Sequence, residues 1–100
     1  TKYGGISLPI KYMNTKNINK VFLHFLGSGV GLMTSAHVMS AINANGLLET
    51  DFNVNPLRDL IFKEPLKIIG GKIKLNSKPG IGFTLNKNTI HKYLKNQFVK

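Results

Sequence analysis

Cysteine is absent from this 100-residue chain, so disulfides and thiolate chemistry are excluded. Acidic residues are scarce: four Asp and Glu stand against 14 Lys and Arg, giving a formal charge of +10. Arginine is nearly missing too, because Arg58 is the lone one among those 14. A charge of this size raises nucleic acid as a partner. The arrangement argues against it, since the lysines are scattered from Lys2 to Lys100 and the usual bidentate reader of phosphate and guanine occurs once. The expectation is a solvated lysine surface and no nucleic-acid partner. No apolar run approaches the roughly 20 residues needed to cross a bilayer. The opening "TKYGGIS" lacks the charged-then-apolar layout of a signal peptide. No membrane partner and a cytoplasmic location are therefore expected. The length suits one small domain and falls far short of the roughly 250 residues of a complete (β/α)8 barrel.

What is present alternates. "ISLPIKYMNTKNINK" reads as a short helix, with Pro9 in its first turn and Ile10, Met13 and Ile18 facing inward. "KVFLHF" is β-rich and apolar at nearly every position, the pattern of a strand covered on both faces. "LGSGVG" is a turn. "LMTSAHVMSAINANG" reads as a buried helix whose small residues (Ser35, Ala36, Ser40, Ala41, Ala44) allow close packing, with Gly46 ending it. "LLET" is a very short strand. Helix, strand, helix, strand points to βα units and a parallel sheet.

The style changes near Asp51. A turn precedes Pro56, an amphipathic helical turn spans Leu57 to Phe62, and Pro65 breaks the chain again. "GGKIKLNS" alternates Ile73 and Leu75 with lysines, a half-exposed strand. "KPGIGF" is a tight turn, and a final helix begins near Asn86. The division is 1–50 and 51–100. Two strands do not make a covered parallel sheet, so either the chain oligomerises or it is a piece of something larger.

The glycine segments "GSGVGL" and "GGKIKLNSKPGIGFTL" resemble the ATP-lid motifs of histidine-kinase-type ATPase domains, where glycine lets backbone N–H groups approach phosphate. A small basic nucleotide- or phosphate-binding module is the alternative this suggests. The spacing argues against it: Gly31 and Gly70 stand 39 positions apart, where that family places a single helix.

A second resemblance covers nearly the whole chain. "GGIS" (Gly4 to Ser7) resembles a GGIT segment, and "LHFLGSGVGLMTSAHVMSAI" a strand with its PH-x-x-x-G loop and A-x-x-H-x-x-A helix. "LLETDFNVNPLRD" resembles a strand with an lEld tail and NPLR stretch, and "GGKIKLNSKPGIGFTLN" a PGLG tail signature. In this order they resemble the C-terminal part of an enolase-superfamily enzyme of the mandelate racemase and acid-sugar dehydratase type. The implied fold is α/β: the last strands and helices of a (β/α)8 barrel, in 1–50, plus a C-terminal tail, in 51–100, that packs back on the capping domain.

The implied activity is abstraction of the proton α to a carboxylate of an acid sugar or hydroxy acid, by a dehydratase (lyase) or racemase (isomerase). The resemblance makes His24 the general base at the end of the seventh strand. The chemistry agrees: barrel enzymes react at the C-terminal ends of strands, and histidine exchanges protons near neutral pH. Glu49, 25 residues on, matches the glutamate ending the eighth strand, with the role of donating to the substrate carboxylate. Gly27 and Ser28, in the loop after the base, and Asp51 are the implied substrate contacts. His37 is read as a core or second-layer residue and His91 as solvated.

The implied cofactor is Mg2+, with its three carboxylate ligands on strands outside this chain. The aspartate that orients the histidine also falls outside it, upstream of Thr1. The implied partners are a small-molecule carboxylate, the remainder of the parent barrel and, in the parent enzyme, further copies of itself. By itself the 100-residue piece is expected to be inactive. Leu23 stands where the family usually has proline, and "NSKPG" lacks an earlier proline of the tail signature.

Overall fold

The computed structural model describes residues 5–94. Eight short elements follow one another: α1 (Ser7–Thr15), β1 (Leu23–His24), α2 (Gly29–Ala41), β2 (Leu48–Glu49), α3 (Pro56–Asp59), β3 (Ile68–Ile69), β4 (Lys72–Ile73) and α4 (Lys87–Tyr93). Of the segment "GGIS", Gly4 lies outside the described residues, as does the end of the final segment from Lys95 onward.

Asparagine, not glycine, ends the first two helices. Asn17 and Asn43 adopt φ of 53° and 49°, the left-handed conformation that this short polar side chain tolerates. After α2, Asn43 N–H donates to Ser40 O (3.1 Å) and Ala44 N–H to Met39 O (2.9 Å). After α1, Asn17 N–H donates to Asn14 O (3.4 Å) and Ile18 N–H to Met13 O (2.9 Å). Both are Schellman closures, which satisfy carbonyls that the helix leaves orphaned. The expectation that Gly46 ends α2 is thereby corrected: the helix is over by Ala41. It also begins earlier than expected, at Gly29, so part of the glycine-rich "turn" is the first turn of α2.

Gly46 serves another purpose. Its φ is not left-handed, yet a Cβ there would run into the Val21 carbonyl. Next to it, Asn45 N–H donates to Asn19 O (2.6 Å). The chain entering β2 therefore lies directly on the chain entering β1. We expect Gly46→Ala to destabilise the chain by about 1–3 kcal/mol, the usual cost of forcing volume into a packed contact. Thermal unfolding would show this as a lowered Tm, and amide exchange should place the loosening at β1 and β2. An unchanged Tm would mean that the approach relaxes freely.

β1 and β2 pair in parallel, with Leu23 opposite Leu48 and His24 opposite Glu49. The expected parallel pairing is present, but not the burial. Phe22 (51% exposed), Phe25 and Leu26 are open around β1, so the described residues do not cover this strand on both faces. The α1 face is similarly thin, with Ile10 and Met13 half-buried and Ile18 exposed.

The second sheet is the antiparallel hairpin β3–β4, with Ile68 opposite Ile73 and Ile69 opposite Lys72. Gly70 and Gly71 turn it, both at positive φ (57° and 71°). A two-residue hairpin turn whose twist matches its strands needs positive φ at both positions, so Gly-Gly is well suited. The helical turn expected over Leu57 to Phe62 is shorter, Pro56–Asp59, because Ile61 and Phe62 leave it to pair with the tail. Phe62 bridges Leu85, Lys63 N–H donates to Thr84 O (2.9 Å), and Asn86 N–H donates to Ile61 O (2.7 Å).

That pairing builds the core. Met33, Ile61 and Phe62 are buried together, with Val30, Ala36, Leu75, Ile81, Phe83 and Ile90 packed around them. The Phe62 and Phe83 rings stack at 4.9 Å. One core thus joins α2 to the tail across residue 50. α4 starts where expected, Asn86 accepting through its side chain from Asn88 N–H (3.1 Å) and Thr89 N–H (3.4 Å).

Candidate active site

The register of β1 and β2 decides which side chains meet. Side chains on opposed strand positions point to the same face, so pairing His24 with Glu49 sets an imidazole beside a carboxylate at the C-terminal end of both strands. His24 Nδ1 is hydrogen-bonded to Glu49 Oε2. An ionised Glu49 only accepts, so against it Nδ1 donates, and in the neutral ring the lone pair then lies on Nε2. A ring held in this tautomer presents Nε2 as a proton acceptor. Both side chains are more than half exposed, 60% for His24 and 54% for Glu49. An exposed pair of this kind contributes little to stability, on the order of 0.2–1 kcal/mol. Its placement is set by strand register rather than by its own attraction.

The loop after β1 reverses at once into α2. Ser28 occupies the N-cap position with an extended backbone (φ −76°, ψ 165°), but its hydroxyl makes no capping hydrogen bond. Its carbonyl accepts from Leu32 N–H (3.2 Å). The Gly27 carbonyl accepts from the side-chain amide of Asn55 (2.9 Å), and the Leu26 carbonyl from the same group (3.3 Å). Gly29 lets α2 approach α3 closely, since a Cβ there would come within 2.8 Å of the Arg58 carbonyl.

Asp51 folds back on its own segment. Its Oδ1 accepts from Asn53 N–H (3.0 Å) and from the Asn53 amide (2.9 Å), closing a local Asx turn. Arg58 reaches back to the Asp51 carbonyl through Nη1 and grips Asp59 through Nε (2.7 Å) and Nη2 (2.9 Å). This fork raises the Arg58 pKa, chiefly through its hydrogen bond to Asp59, and lowers that of Asp59, chiefly through the same bond.

His37 is half-buried on α2, where Nε2 donates to the Ile81 carbonyl (3.0 Å) and ties the helix to the tail turn. His91 is exposed on α4. His24 and Glu49 meet at one strand end, as expected from the sequence, whereas Asn55 and Arg58 are not among the expected site residues. The signal for Asn55 was present: an Asn directly before Pro marks the start of a helix. Its second use, on a loop 28 residues away, is invisible without the fold.

A cavity of about 580 Å³ opens between α2, β2 and the β3–β4 hairpin, lined by Met39, Leu48, Thr50 and Ile73 among others. His24 and Glu49 are not in its wall. Among the described residues, no group of three His, Asp or Glu side chains is placed to hold a metal ion, so these residues do not form a Mg2+ site among themselves. No helix among the described residues is long and apolar enough to cross a membrane.

Residues 1–89 match the family model described as enolase C-terminal domain-like. The chain belongs to that family. It is 33% identical over 92 residues to the arabinonate dehydratase of Saccharolobus solfataricus, covering 90% of this chain and 24% of that protein. It is 23% identical over 82 residues to the D-galactarolactone cycloisomerase of Agrobacterium fabrum, covering 74% of this chain and 22% of that protein. The chain thus spans about a quarter of the length of the curated relatives it matches. No solved structure matches it.

Proposed function

We propose that these residues are the C-terminal part of a cytoplasmic acid-sugar dehydratase or isomerase that removes the proton α to a carboxylate. The observation that supports this is the His24–Glu49 register pair, an imidazole beside a carboxylate at the end of a parallel strand, where barrel enzymes carry their chemistry. His24 Nε2 takes the Cα proton. In a dehydratase, the same nitrogen returns it to the β-hydroxyl as that group leaves as water. Glu49 orients the ring in the free site. To donate to the substrate carboxylate, as the family resemblance implies, Glu49 needs a proton, and a carboxyl keeps one only where desolvation favours its neutral form.

Residues outside this chain supply that enclosure in our reading. The exposed aromatic and aliphatic side chains flanking β1 and the short parallel pair are what the border of a larger sheet would leave open. The remaining staves of a (β/α)8 barrel would lie there, and the carboxylates for Mg2+ with them. Gly27, Ser28 and Asp51 sit in the loops on the same side of the chain, following β1 and β2, and would contact substrate mainly through backbone groups. Further copies of the complete enzyme are its expected partners.

The test uses the complete polypeptide that carries these residues. Incubated in deuterated water with a panel of acid sugars and lactones that includes arabinonate and galactarolactone, it should exchange the α-proton of one member or convert it. Chelation should abolish turnover while leaving the Tm contribution of this segment intact, since none of its described side chains forms a metal cluster. An absence of exchange across the panel in the metal-replete protein would count against the reading.

A further inference from the structure

Asn55 has two jobs in this structure, and they use different atoms. Its Oδ1 accepts from Arg58 N–H (3.2 Å), the ordinary N-cap bond of α3. Its Nδ2 donates to two carbonyls of the loop that follows His24, Leu26 O (3.3 Å) and Gly27 O (2.9 Å). The cap alone would leave the amide hydrogens free to point anywhere. Here both are spent on one loop, the one that begins directly after the imidazole-bearing strand.

The segment holding Asn55 is itself pinned. Arg58 donates to the Asp51 carbonyl and is forked onto Asp59, so the chain from Asp51 to Asp59 is tied at both ends of a single short turn. Pro56 at the first helical position restricts it further. Asp51 lies two residues past Glu49. A chain of short, directional bonds therefore runs from the strand of Glu49, through Arg58 and Asn55, to the loop of His24. It spans the open end of the β1–β2 pair, where only two residues per strand hold the register.

We propose that Asn55 is a positioning residue for His24: through its amide it holds the 26–27 loop against the segment after Glu49, and so keeps the imidazole facing its site. This rests on the reading of His24 as the base. Misplacing a catalytic group by about 1 Å can cost on the order of 10²-fold in rate.

Asn55→Asp separates the two jobs, because Asp retains the capping oxygen and loses both amide hydrogens. Asn55→Ser does the same with a hydroxyl that caps but is too short to reach the loop. In the complete polypeptide labelled with ¹⁵N-histidine, both variants should move the His24 ring resonances and leave those of His37 and His91 in place. For an acid sugar that the wild-type protein turns over, kcat should fall on the order of 10–10²-fold while KM stays near its wild-type value.

His24 ring resonances at wild-type positions in the folded variants would overturn the proposal. So would loss of folding in both, since the side chain would then serve the fold rather than the ring. If His24→Asn keeps its turnover while Asn55→Asp still moves the ring, the base assignment fails and the positioning bond stands.

Discussion

His24→Asn should lower proton abstraction by about 10²–10⁴-fold, the range over which a positioned general base contributes. Asn is close in size to His, its amide still donates toward Glu49, and the β1–β2 register does not rest on that exposed pair. What it lacks is a basic nitrogen at the Nε2 position. The measurement is wash-in of solvent deuterium at the carbon α to the carboxylate, read alongside turnover in the complete protein. KM should change far less than kcat, because the substitution leaves the proposed substrate contacts of Gly27 and Ser28 in place. Turnover retained at the wild-type level would remove His24 from the reaction. The comparison with Asn55→Asp is informative: deleting the base should cost more than misplacing it.

The second large effect lies in the core. Phe62→Ala should destabilise the chain by about 3–5 kcal/mol, as expected for emptying a buried aromatic site. Phe62 is 3% exposed and stacks on Phe83, so the loss includes both transfer from water and a ring contact. A small domain has only about 5–15 kcal/mol of net stability, so this is a large share of it. At about 4–8 °C per kcal/mol for a chain of this size, Tm should drop by at least about 12 °C. Phe52→Ala is the control, since Phe52 is 102% exposed and its removal should stay within about 0.5 kcal/mol. Equal Tm changes for the two would show that the Met33–Ile61–Phe62 cluster is not what holds the chain together.

The two effects belong to different parts of one physical chain of cause. Phe62 leaves α3 to pair with Leu85, and that pairing lays the tail against α2. α2 in turn follows directly from the loop after His24. A packed α2 therefore fixes where β1 ends, and the Asn55 amide fixes how the loop leaves it. Emptying the core should loosen the site, whereas changing His24 should leave the core as it is.

Several features were legible from residue order alone. The helix–strand–helix–strand rhythm before Asp51 and the Asn86 start of α4 follow from local periodicity and backbone preference, whereas Gly70 and Gly71, read as the start of a strand, are the turn of the β3–β4 hairpin. The parallel pairing also followed, because a strand, a helix and a second strand in short succession leave little other choice. The family was recognisable for the same reason: its motifs are runs of neighbouring residues. Element ends were less legible. Glycine is the commonest left-handed residue and so points to Gly46 as the end of α2, yet Asn43 takes that conformation three positions earlier.

Tertiary structure alone decided the rest, because it concerns residues that distance along the chain keeps apart. Which residue of "KVFLHF" opposes which residue of "LLET" depends on register, and a slip of one position would send Glu49 to the other face. The close approach of Gly46 to Val21, the tie from His37 to Ile81 and the reach of Asn55 to Gly27 are likewise contacts between segments. Local preference chose the elements of this protein; packing of α2 against the tail and the pairing of two very short strands chose which side chains meet. Backbone preferences act over a few neighbouring residues, whereas side-chain contacts are settled only when the whole chain has closed around its core.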